Sequence, residues 1–157
     1  MEIPPQTIDN VVRPYQVECR VLREARLEYP RIYGKFFIGS TFYHVPTLQH
    51  VTDIEIQLCL NQLAYAGIAQ AIQYRSIPEL DDLSFEQLRK EGMLIIESRK
   101  RFRKQIPTCR EISGQMNVNE WRDEAGLIRG WANFQFENRS CFGSLELALV
   151  KSNGERK

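Results

Sequence analysis

The sequence predicts an α+β fold in which an antiparallel sheet packs on one long buried helix. Three observations carry this. Residues 53–74 form a long, mostly apolar run with helical periodicity. Four strand-like runs follow in close succession: "MLIIESRKRFRK", "TCREISGQMNVNEW", "LIRGWANFQFEN" and "CFGSLELALVK". Two of the connections, "RDEAG" and "ENRS", are short and rich in turn formers, which suits hairpins. A chain of 157 residues is the length of one domain and can bury a core without disulfides or metal.

The polar, proline-containing start "MEIPPQTIDN" has no basic-then-apolar leader pattern and is expected to be a loose arm over 1–12, with the folded domain spanning 13–150. In "QVECRVLREARLE", Val17, Cys19 and Val21 alternate, so an extended strand is expected over 16–28, with a helix as the alternative for the Arg/Glu-rich half. "RIYGKFFIG" is a second strand, paired through a turn between Glu28 and Arg31. Gly39 and Pro46 break "STFYHVPTLQH" into irregular structure with room for one short strand.

The helix starts at a capping box, Thr52 with Glu55 three residues on. Ala64, Ala66, Ala69 and Ala71 suit close packing against neighbours. At 100° per residue, Glu55, Gln62 and Gln73 fall together with Gln70 beside them. That polar stripe is expected to be the only wet side. A helix apolar elsewhere implies a curved sheet around it, the hot-dog arrangement. Beyond Pro78 and "ELDD", Ser84 with Gln87 caps a short helix over "FEQLRK". The tail "KSNGERK", 151–157, is expected to be disordered.

Composition narrows the function classes. With 43% apolar and 26% charged residues and a net charge of +1, no global field argues for nucleic acid or a membrane surface. No apolar run approaches the roughly 20 residues of a membrane span. The four cysteines are scattered without a CxxC, as in a reduced, cytosolic protein. Two histidines without ligand-type spacing give no expectation of a metal or other cofactor. There is no GxSxG, and Cys59 as a nucleophile would need an environment that lowers its pKa.

Ile54, Leu58, Asn61, Tyr65, Ile68 and Ile72 recur every three or four residues and form one helical stripe with Asn61 at its centre. A buried amide without partners costs about 1–3 kcal/mol. Asn61 therefore bonds a neighbouring backbone group or water, or it is aimed at a ligand carbonyl or a reacting water. Tyr65, one turn on, is either a core aromatic or a hydroxyl beside that amide. His44 and His50 flank Pro46; each is an exposed loop histidine, a general base or a donor to a carbonyl. In "RKRFRK", Arg99, Arg101 and Arg103 share one strand face, and Lys100, Phe102 and Lys104 share the other. The run is a solvated edge or a docking surface for coenzyme A phosphates or an acidic carrier protein; nucleic acid is a third option, which one aromatic in a short basic run of a near-neutral protein supports weakly.

"EIQLCLNQLAYAGIA" resembles the helix motif of the FcoT-type fatty acyl-CoA thioesterase family. "RPYQVECR", "YGKFFIGSTFY", "MLIIESRKRFRK" and "GSLELALV" are similar to further segments of that family in the same order, over roughly residues 13–150. The chain departs from the mycobacterial type at Thr52, where that type has an asparagine. The resemblance implies a hot-dog fold, a homodimer or larger homo-oligomer, and a fatty acyl chain held as a thioester of coenzyme A or acyl carrier protein. It carries site roles to Tyr15, Tyr43 and Asn61, and His50 matches the family pattern. Related enzymes of isonitrile lipopeptide pathways add glycine to a (2E)-enoyl group on a carrier protein. Thioester hydrolysis is thus the first expectation, glycine addition the second, and a non-catalytic acyl-thioester binding module the third. Hydrolysis and addition both place negative charge on the thioester oxygen, which N–H groups near Asp53 and Ile54 at the helix start would stabilise. Asp53 would hold an amine or a water. Arg101, Arg103 and Lys104 would bind the carrier end of the substrate.

Overall fold

The computed structural model describes residues 1–39, 41–124 and 126–151. Among the described residues six strands make one sheet: β1 (Leu22–Glu28), β2 (Arg31–Phe37), β3 (Met93–Phe102), β4 (Glu111–Glu124), β5 (Leu127–Phe136) and β6 (Cys141–Val150). Their order is β1-β2-β4-β5-β6-β3, and every pairing is antiparallel. The long helix α2 (Asp53–Tyr74) lies on one face of this sheet. This is the expected hot-dog architecture. The short helix α3 (Phe85–Glu91) begins at the predicted Ser84/Gln87 capping box. The segment 41–52 is irregular as expected; His50 makes only an isolated bridge to Pro107. The tail expectation for 152–157 lies outside the described residues; Lys151 itself pairs with Asp123. No helix among the described residues is long and apolar enough to cross a membrane.

The core sits between α2 and the sheet's inner face. Alternation along β4 turns Ile112, Met116 and Val118 inward, and along β5 Ile128, Ala132, Phe134 and Phe136. They meet Ile56, Leu60, Leu63, Ala64 and Ala71 of α2, all essentially unexposed. Contact is closest at Gly67, where an added Cβ would sit 2.3 Å from Cδ1 of Ile32 on β2. Gly67→Ala is therefore expected to destabilise by about 1–3 kcal/mol from overpacking, although alanine gains about 1 kcal/mol in helix propensity. A urea titration reads the balance, and a stabilised variant would show that the helix can lift off β2 at no cost.

Two expectations are corrected. The N-terminal arm is not loose: residues 5–12 form helix α1 (Pro5–Val12), and Ile3, Ile8, Val11 and Val12 are buried. The cause is local. Pro5 opens the first turn, and Ile8, Val11 and Val12 lie on one helical face. The Ile3 N–H also donates to the Ala25 carbonyl at 2.9 Å, covering the free edge of β1. The expected strand at 16–28 is split accordingly. Val17–Cys19 form a 3₁₀ turn, and the strand begins only at Leu22.

The second correction concerns α2. The predicted wet stripe is the dry one: Glu55, Gln62 and Gln70 are buried and only Gln73 is exposed. The N-terminal segment covers this face and supplies polar partners. Gln62 Oε1 accepts from the N–H groups of Val21 (3.1 Å) and Leu22 (3.0 Å), and its Nε2 donates to the Cys19 carbonyl at 2.6 Å. Gln70 Nε2 reaches Sδ of Met1 at 2.9 Å. The uncovered side is the apolar stripe instead. Ile54 is 44% exposed, and Leu58, Asn61, Tyr65 and Ile72 are half-buried; only Ile68 is fully inside.

Candidate active site

The start of α2 gathers the polar side chains. Thr52 caps the helix, its Oγ1 accepting from the Ile54 N–H at 3.3 Å. Its own N–H and hydroxyl both donate to Glu55 Oε2 at 2.7 Å, which completes the capping box. Tyr43 Oη lies 2.7 Å from Thr52 Oγ1. The threonine hydroxyl has one proton, directed at Glu55, so Tyr43 donates to Thr52 and keeps lone pairs free toward the site. Burial first, and then the nearby Glu55 carboxylate, push the Tyr43 phenol above its ordinary pKa, against the lowering effect of Thr52. Tyr43 thus stays protonated at neutral pH. Glu55 Oε1 is buried and has no hydrogen-bond partner among the described residues.

Beside this relay stands an ion pair that residue spacing alone does not reveal. Lys100 Nζ lies 2.9 Å from Asp53 Oδ1; the lysine side chain is 10% exposed and the aspartate 67%. Lys100 points inward from β3 because of a bulge. Met93 and Ile95 pair with Leu149 and Leu147 on the inner face, but the register shifts between Ile95 and Glu97. Beyond the bulge Ser98, Lys100 and Phe102 face inward, opposite Leu145, Gly143 and Cys141, and Arg99 and Arg101 face out. Strict alternation from Met93 would have put the arginines in the core.

Asn61 lies two turns further along, about 12 Å from Asp53 along the helix axis. Its Oδ1 accepts from Gln57 Nε2 at 3.3 Å, and its Nδ2 has no partner among the described residues. One donor is therefore held and presented on a half-buried apolar stripe, flanked by Leu58 and Tyr65 on the helix. The geometry suits a hydrogen bond to a carbonyl whose alkyl chain lies along that stripe.

The other expected residues separate. Tyr65 accepts from the Met93 N–H at 2.8 Å, which ties α2 to the start of β3. Tyr15 and Tyr65 line a cavity of about 250 Å³ with Val11, Pro14, Phe85 and Arg89. Burial, then Tyr65 and Cys19, push the Tyr15 phenol up to about 12, so it is a donor and not a base. His50 shares a cavity of about 430 Å³ with Thr52, Phe102, Arg103 and Lys104, at the mouth beside the helix start. His44 is exposed and its Nδ1 sits 2.7 Å from the Pro46 carbonyl, inside its own turn. Arg101 lies on the opposite face of the sheet from Asn61, in a groove of about 520 Å³ with Arg99, Arg139, Phe142, Asn117 and Asn133. All four cysteines are unpaired. Burial raises the Cys59 thiol well above its ordinary pKa and the Cys141 thiol to about 11, so neither offers a thiolate near neutral pH.

Comparison with known proteins adds the following. A family model described as an FcoT-like thioesterase domain matches residues 10–148. A (2E)-enoyl-[ACP] glycyltransferase of Mycobacterium marinum is 33% identical over 112 residues, covering 66% of this chain and 60% of that protein. A protein of the same name from Mycobacterium tuberculosis is 33% identical over 114 residues, covering 66% and 61%. The chain thus spans about three fifths of the length of these curated relatives. Among solved structures, a mutant thioesterase of Pseudomonas aeruginosa superposes with a TM-score of 0.61 at 8% identity, covering 94% of each chain. That likeness is one of fold.

Proposed function

Because the chain belongs to the FcoT-like thioesterase domain family, we propose that it activates the carbonyl of a fatty acyl thioester, with the acyl chain along the open stripe of α2. The observation that carries this is the Asn61 Nδ2 group, which lacks a partner among the described residues on an otherwise apolar, half-open surface. A donor of this kind, aimed at the developing oxyanion, contributes about 10²–10³-fold in rate. Tyr43 and the helix start supply further polar groups, and the exposed Asp53 carboxylate holds the nucleophile. Arg103 and Lys104, with His50 beside them, form a cationic mouth for the phosphate of the substrate's pantetheine arm.

The reaction we favour is addition of glycine to the β carbon of a (2E)-enoyl thioester, on the strength of the two relatives' names. The amine gives up one proton to Asp53 and forms the N–C bond. The C=C pair moves to the carbonyl oxygen as an enolate, and the α carbon then takes the proton back, so nothing leaves. Hydrolysis is the second reading; the family description favours it, with Asp53 holding water instead of an amine. A binding module without turnover is the third.

A second copy of the chain would cover the apolar stripe, since Leu94, Ile96 and Phe102 on edge strand β3 are also exposed. The four free thiols suit a reducing cytoplasm. The test mixes the protein with saturated and (2E)-enoyl thioesters, with and without glycine, and follows free thiol and adduct mass. Expected is a glycine adduct that retains its thioester. Thiol release independent of glycine overturns addition in favour of hydrolysis, and neither product overturns both.

A further inference from the structure

The cavity of about 250 Å³ beside Tyr65 plays no part in the chemistry above. Its walls come from three segments of this chain. Val11, Pro14 and Tyr15 line it from the end of α1 and the turn that follows, Tyr65 from α2, and Phe85 and Arg89 from α3. Phe85 and Arg89 stand at i and i+4 and so share one face of that short helix. None of these residues is acidic, and none lies on β3, the edge that a second copy would cover. Val11, Pro14 and Phe85 make the cavity apolar on one side, while Tyr15, Tyr65 and Arg89 bring hydrogen-bond donors to the other. Tyr65 Oη already accepts the Met93 N–H at 2.8 Å, which leaves its own proton to give. Neither the Tyr15 hydroxyl nor the Arg89 guanidinium has a partner among the described residues. The Tyr15 backbone is fixed from both sides: its N–H donates to the Val12 carbonyl at 3.0 Å, and its carbonyl accepts from Arg20 Nε at 2.9 Å.

We propose that this cavity binds a carboxylate carried by the acyl chain itself, so that the preferred thioesters are those of short dicarboxylic acids. The inference rests on the acyl-thioester reading above and narrows its substrate class. Order along α2 decides which reactant bears the carboxylate. Asp53, beside the nucleophile, lies on one side of Asn61, and Tyr65 lies on the other. A group in the cavity therefore hangs from the acyl side of the carbonyl. Tyr65 is one turn beyond Asn61, a rise of ~6 Å. A glutaryl-sized group bridges that distance, with its thioester carbonyl at Asn61 Nδ2 and its carboxylate in the cavity. The donors decide the ligand class. A guanidinium fork matches the two oxygens of a planar carboxylate, and the phenols of Tyr15 and Tyr65 take the remaining lone pairs. One guanidinium balances the single charge of a carboxylate, whereas a phosphate would bring a second charge with no cation to meet it. A plain alkyl end would fit the apolar walls but would cover the guanidinium and both hydroxyls without giving them partners. Burial, with the phenol pushed up to about 12, keeps Tyr15 a donor at every pH where the carboxylate is charged and the protein is neutral or mildly basic.

The test measures kcat/KM on pantetheine thioesters in matched pairs, glutaryl against pentanoyl and glutaconyl against (2E)-pentenoyl. The unsaturated pair is run with glycine and, separately, with ethylamine, an amine that has no carboxylate. Wild-type protein should prefer the carboxylate-bearing member of a pair about tenfold or more, since a site built to pair a polar group rejects the analogue that lacks it. In Arg89→Met the preference should collapse through a rise in KM for that member, and Arg89→Lys should restore part of it. Tyr15→Phe should lower the preference about threefold, the worth of one hydrogen bond. Arg89 is exposed at the end of α3, so its variants keep the fold, which the urea midpoint checks. Equal rates within each pair for wild type would overturn the proposal, as would a preference that survives Arg89→Met. An Arg89→Met loss seen with glycine and not with ethylamine would also overturn it, by giving the carboxylate to the nucleophile. In each of these cases thioester turnover itself persists and the acyl-thioester reading stands. No turnover of any thioester by wild type would overturn that reading, and this proposal with it.

Discussion

Gln62→Ala is expected to lose about 3–6 kcal/mol of folding stability, the largest single-residue effect predicted for this chain. The glutamine is 0% exposed and satisfies three backbone groups of the N-terminal segment: the N–H of Val21, the N–H of Leu22 and the carbonyl of Cys19. An alanine leaves all three buried without partners, at about 1–3 kcal/mol each, and opens a cavity beside them. A domain of this size has only about 5–15 kcal/mol to lose. Gln73→Ala on the exposed side of the same helix is the control, with an expected change within about 0.5 kcal/mol. The check is the urea midpoint of each variant. A Gln62→Ala midpoint within 1 kcal/mol of wild type would show that water satisfies the 3₁₀ segment as well as the side chain does.

Asn61→Ala is expected to do the reverse: keep the fold and lose about 10²–10³-fold in turnover of the acyl thioester. The side chain is half-buried and makes one long bond, 3.3 Å, to Gln57, so truncation leaves no buried backbone group orphaned. The stability change should stay under about 1 kcal/mol. Asn61→Asp is the sharper variant. It keeps the volume, removes the donor and sets a negative charge where the oxyanion forms, so it should be no faster than the alanine variant. Full turnover by a folded Asn61→Ala protein would remove the residue from the mechanism. The two neighbouring amides thus separate stability from chemistry within one helical turn.

Much of the architecture was legible in the sequence. The long helix, its Thr52–Glu55 capping box, the two-strand hairpin before it and the four strands after it came from periodicity and turn chemistry, which are local signals. The misreadings have one cause. Hydropathy periodicity locates a polar stripe but cannot say what covers it. Glu55, Gln62 and Gln70 read as wet because glutamine and glutamate usually are, yet a polar side chain can face inward wherever a neighbouring segment offers it backbone groups. That segment runs from Met1 to Val21, which the proline-rich start disguised as an arm. The Ile54–Ile72 stripe read as core for the same reason, and part of it is open surface.

Within the candidate site, the helix stripe singled out Asn61 and the family resemblance added Tyr43, and both remain proposals. Tyr65 turned out to brace β3 through Met93. Lys100 was not legible as a site residue. The sequence put it on the face opposite Arg99 and Arg101, but only the register shift near Ile96 shows which face looks inward. A bulge leaves no dependable mark in composition.

That extra residue in β3 has a consequence for how the chain can diversify. Beyond the bulge the strand carries two separate alphabets, an ammonium-bearing letter, Lys100, toward the helix and guanidinium letters, Arg99 and Arg101, toward the outside. Since the two never share a side chain, substitutions on the outer face can accumulate without disturbing the residues that face the helix, and the reverse holds as well.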